Sequence, residues 1–177
     1  RKLNLGASIQ QGDYGHRGEQ GMFESVGFRL FNLAGVASPN TVFLQFRVIN
    51  SAMEANPSSQ YEGDFWGVYL GTEQEDGRFL DEHGLPDGNL YKMEDGTGEL
   101  NNLGPLGPTD KSDLNAFLGA YRSTTSPPSE AWWRANLDLT NYWSYQAIVQ
   151  GIHHYDICYG KNYFYYRDPE TGRWSVH

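Results

Sequence analysis

Cysteine is almost missing: Cys158 is the single one in the chain, so an intrachain disulfide framework is excluded. Positive charge is also scarce. Lys plus Arg number 13 against 22 Asp plus Glu, a net charge of −9, which argues against nucleic acid or an anionic membrane as partner. No run approaches the roughly 18 apolar residues of a membrane span, and the opening RKLNLGAS is not a secretory leader. Internal repeats and domain-scale linkers are absent, so the 177 residues read as a single domain. The missing initiator Met and the ending RWSVH, in mid-pattern, read as a portion of a longer polypeptide.

Aromatic residues, by contrast, make up 15% of the chain, with 21 Gly and 8 Pro, a composition that predicts a loop-rich globular fold; the order of helical and strand patterns makes it α+β. The stretch from Leu139 to Tyr166, LTNYWSYQAIVQGIHHYDICYGKNYFYY, organises the reading. Tyr142, Gln146, Val149 and His153 recur at helical spacing. Beyond them His154, Asp156, Lys161 and Asn162 fill a polar turn before an aromatic strand. A carboxylate, an ammonium and an amide gathered there either line a site or cap the helix.

Taken in order, residues 1–18 read as an irregular arm. A helix follows from Glu19, closed by Gly35. Thr41–Asn50 and Asp64–Gln74 alternate as strands and pair as an antiparallel hairpin with a long connection. The second strand puts Trp66, Val68, Leu70 and Thr72 on one face and Phe65, Gly67, Tyr69, Gly71 and Glu73 on the other. Gly67 and Gly71 either admit a ligand beside Glu73 or mark a bulge and tight packing. A short helical turn precedes the strand Asn89–Glu94, on which Lys92 shares a face with Leu90 and Glu94. Gly96–Pro108 reads as loop. Helices are then expected after Thr109 and Asp110, after Ser129, and after Asp138 or Thr140, and Lys161–Tyr166 pairs with Arg173–His177.

A strand lysine followed much later by H-x-D and an asparagine is an arrangement used in phosphoryl transfer from ATP. Here the pieces are Lys92, His154-Tyr155-Asp156 and Asn162, with five residues between Asp156 and Asn162. Chemistry needs a cation on the phosphates, a carboxylate for the hydroxyl and an amide oxygen for Mg²⁺. The bland alternative is a solvated Lys92, an Asp156 that caps a turn and an Asn162 that satisfies backbone groups. His153 and His154 are adjacent and diverge, so they do not chelate one metal. Cys158 lacks an oriented base and reads as packing. Trp132, Trp133, Trp143 and Tyr142 read as core rather than as a sugar-stacking platform.

The segments GDFWGVYLGTEQEDGRFLDEHGLPDGNLYKME and HHYDICYGKNYFYYRDPETGRWSV resemble the CotH (spore coat protein H) kinase family over roughly residues 20–177. The resemblance rests on G-V-Y-x-x-x-E, L-Y-K and D-x5-N-Y-F-Y-Y in one order. It implies an atypical, reduced two-lobe protein-kinase-like fold, with residues 19–95 as a strand-rich lobe and 109–177 as a helical lobe ending in a hairpin. It implies ATP with Mg²⁺ or Mn²⁺, and a Ser or Thr of a secreted, cell-surface or spore-coat protein as acceptor. By the same resemblance Asp156 is the catalytic aspartate, Lys92 and Glu73 bind ATP, Tyr69 borders the nucleotide and Asn162 is a metal ligand. The family's metal-binding aspartates, in W-D-x-D, are expected past His177, which implies a fold incomplete at its C-terminus and poor or no transfer by this chain alone. The alternative on the same fold is a non-catalytic coat or adhesion module. A carbohydrate-active protein would need Glu73 and Asp156 as a pair across a cleft.

Overall fold

The computed structural model describes residues 4–6, 19–49, 64–157 and 160–177, so Cys158 and the 50–63 connection lie outside the described residues. Helices and antiparallel strands are both present, an α+β fold. The chain divides into two compact units, Arg1–Arg29 with Pro39–Gln74, and Leu30–Ser38 with Glu75–His177.

In the first unit β1 (Asn4–Gly6), β2 (Thr41–Val48) and β3 (Asp64–Thr72) form a sheet of order β1-β3-β2. The expected irregular arm is therefore corrected at its start: residues 4–6 pair antiparallel with β3, Leu5 opposite Gly71. The β2–β3 hairpin is present, but strict alternation fails at Trp66. Arg47 faces Phe65 and Phe46 faces Gly67, leaving Trp66 as an extra residue, and Gly67 takes the bend at φ +114°. Gly71 has a different reason: a Cβ there would stand 3.0 Å from Leu44 Cδ1. A bulge and close packing account for both glycines.

The second unit carries the sheet β5-β4-β6-β7, formed by β4 (Asn89–Glu94), β5 (Thr97–Asn102), β6 (Tyr163–Arg167) and β7 (Trp174–Val176). The 96–108 loop expectation is corrected by β5, which pairs with β4 around Asp95 and Gly96, both left-handed at φ +48° and +75°. Asp-Gly is a strong hairpin signal, masked here by the polar sequence TGELNN. β4 also pairs with β6, so the segment 19–95 contributes to both units.

Alternation along β4 separates two cores. Tyr91 and Met93 pack with Leu114, Phe117 and Leu118 of α3 (Ser112–Tyr121), with Leu137 after α4 (Glu130–Asn136), and with Trp174. Leu90, on the other face, packs with Tyr166 and with Phe79 and Leu80 of α2 (Gly77–Glu82). Burying each such side chain stabilises by about 1.5–3 kcal/mol. Phe31 and Val36 join Tyr145 and Val149 of α5 (Leu139–Gly151). They sit at the closure of α1 (Glu19–Leu33), where Val36 N–H donates to Phe31 O at 3.0 Å and Gly35 stands at φ +78°, the left-handed stop its sequence predicts.

Candidate functional site

Asp138 opens α5 by accepting from the N–H groups of Thr140 and Asn141 at 3.0 and 3.1 Å. The helix stops at Gly151. His154 N–H turns back to Val149 O at 2.9 Å and His153 takes the left-handed position, φ +52°, so His153 lies past the helix rather than on its face. A single 3-10 turn, Tyr155–Ile157, then presents Asp156.

Both carboxylate oxygens of Asp156 are engaged. The Asn162 amide donates to Oδ2 at 2.9 Å and to the Asp156 carbonyl at 2.8 Å, and Lys161 Nζ lies 3.3 Å from Oδ1. Asn162 reaches back because its backbone is left-handed, φ +62°. The Asp156 side chain is still 57% exposed. Asn162 N–H donates to Met93 O at 3.2 Å, so the turn is tied to β4 at the residue after Lys92. Lys92 itself is half-exposed, 4.0 Å from Glu94, on the Leu90 face and opposite Phe164 in register.

Three of the five residues singled out in the sequence thus fall on one sheet and its adjoining turn: Lys92, Asp156 and Asn162. Glu73 and Tyr69 belong to the other compact unit. There the Glu73 carboxylate accepts from Asn40 N–H at 2.9 Å and from its amide at 3.2 Å, closing the β2–β3 pair, and the Tyr69 ring packs 5.2 Å from Phe46. Lys161 was legible only as a turn residue; its contact with Asp156 depends on the bends at Gly160 and Asn162. Among the described residues no group of three or more His, Cys, Asp or Glu is arranged to hold a metal.

The aromatic helices also differ from a plain core. Trp132 stacks on Phe117 at 5.8 Å and 13°, as expected. Trp133 and Tyr142 also pack, partly buried, against that core; both line an apolar cavity of about 620 Å³ together with Trp143, which is 65% exposed and so departs from the core expectation. No helix among the described residues is long and apolar enough to cross a membrane.

Compared with known proteins, residues 19–177 match the family described as CotH kinase protein. No curated protein matches the chain.

Proposed function

Because the chain belongs to the CotH kinase family, we propose that it is a protein Ser/Thr kinase on a reduced, two-lobe kinase-like fold. Its nucleotide is ATP, arriving as the Mg²⁺ or Mn²⁺ complex, and its acceptor is a secreted, cell-surface or spore-coat protein. One observation carries the reading: Asp156 and Asn162 are joined side chain to side chain at 2.9 Å, and the Asn162 backbone is bonded to the strand that carries Lys92.

In this reading the acceptor hydroxyl oxygen forms the new bond to the γ-phosphorus while the bond to the ADP oxygen breaks. Asp156 orients the hydroxyl and takes its proton. Lys92 neutralises phosphate charge. The Asn162 amide, whose nitrogen serves Asp156, has its oxygen to offer the cation that accompanies ATP. A hard divalent cation takes about six oxygens, more than Asp156 and Asn162 supply.

Transfer of the γ-phosphate of labelled ATP to Ser or Thr by the intact protein, W-D-x-D segment included, tests the assignment. Asp156→Ala is expected to lower the rate by about 10²–10⁴-fold, the usual worth of a positioned general base. Equal rates for wild type and Asp156→Ala would remove Asp156 from the mechanism. A wild-type protein that binds coat or surface partners and transfers nothing would make the fold a non-catalytic module.

A further inference from the structure

The turn that carries Asp156 is clasped from outside. Gly96 N–H donates to the Gly160 carbonyl at 2.9 Å. A Cβ on Gly160 would lie 2.8 Å from Gly96 Cα and 3.0 Å from its nitrogen, so the obstruction is backbone and cannot swing aside. Both residues are left-handed, at φ +71° and +75°, a conformation that side chains disfavour. Gly96 is itself held from a third element: Arg122, just past α3, donates through Nη1 to the Gly96 carbonyl at 2.8 Å.

The contact lies between the two parts of the proposed site. On one side Gly96 closes the hairpin whose first strand carries Lys92. On the other, Gly160 precedes Lys161 and Asn162, which meet the two oxygens of the Asp156 carboxylate. We propose that Gly160, seated on Gly96, is a positioning residue that sets the spacing between the Lys92 strand and the Asp156 turn, with Arg122 bracing the Gly96 side. The inference rests on the phosphotransferase reading. A methyl at Gly160 forces the turn outward, and displacement of reacting groups by an ångström costs roughly 100-fold in rate.

Gly172 supplies a matched control, since it has nearly the same backbone angle, φ +70°, and a Cβ there meets nothing within 4 Å. Gly160→Ala and Gly172→Ala therefore share the conformational strain and differ in the clash. In the intact protein Gly160→Ala is expected to lower kcat for transfer by about 10–100-fold with KM for ATP little changed, while Gly172→Ala stays near wild type. Amide hydrogen exchange should show the Gly96 and Asn162 N–H groups losing protection in Gly160→Ala only. Should Gly160→Ala not fold, Arg122→Met is expected to expose the same amides and slow turnover, with Arg122→Lys recovering part of both. Equal losses in Gly160→Ala and Gly172→Ala, or unaltered exchange at Gly96 and Asn162, overturn the clasp. Absence of transfer by the intact wild-type protein, W-D-x-D segment included, would instead remove the kinase reading, and the exchange data would still decide the contact.

Discussion

Asn162 carries two separable burdens, a left-handed backbone at φ +62° and an amide bonded twice to Asp156. Asn162→Gly separates them. Relief of the left-handed strain, at most about 1–2 kcal/mol and reduced by the extra chain entropy of glycine, only partly offsets two lost hydrogen bonds of about 1 kcal/mol each, so Asn162→Gly should be less stable by about 1 kcal/mol in urea denaturation. Asn162→Ala keeps the strain, loses the bonds and should be less stable by about 1–3 kcal/mol. Both variants leave Asp156 without its orienting amide, and γ-phosphate transfer should fall in both. Full activity in Asn162→Gly would show that the amide orients nothing. At this scale Asp156 and Asn162 were legible because residue type and spacing carry the signal. The Lys161 contact was not, because it follows from backbone angles that local composition does not encode.

Elements with a helical period and a capping residue are readable in the sequence: α1 with Gly35, α4 with Ser129 and α5 with Asp138. β5 was hidden because TGELNN has neither β-branched runs nor alternation, and its order comes from pairing with β4. The pairing of β4 with β6, Lys92 opposite Phe164, joins segments far apart in sequence, and no local pattern announces such partners. The end of α5 gives a prediction at this scale. His153 occupies the left-handed closing position at φ +52°, where glycine is the unstrained residue. His153→Gly should raise stability by up to about 1 kcal/mol, the left-handed penalty less the extra chain entropy of glycine. Chemical denaturation checks the sign. A decrease would mean that the imidazole contributes more than the backbone strain costs.

Across the larger unit, tyrosines set the limit of the molecule in alkali. Tyr91, Tyr145, Tyr163, Tyr165 and Tyr166 all have phenols pushed upward, in each case chiefly by burial. For Tyr91 the hydrogen bond to the Asp113 carboxylate at 2.6 Å adds to the effect. The folded chain therefore keeps protons that the unfolded chain releases above pH about 10. The stabilising effect is complete below that pH and is lost as pH rises past it, at about 1.4 kcal/mol per pH unit for each phenol that stays protonated. The net charge of −9 at neutral pH adds self-repulsion in the same direction. Of the 12 tyrosines, these five should ionise only as the unit unfolds, so tyrosinate absorbance and far-ultraviolet circular dichroism should change together in a steep late step. Smooth, reversible ionisation of all 12 near pH 10 with the dichroism unchanged would mean that these five phenols are open to water, and that the cores of the unit are looser than the packing described.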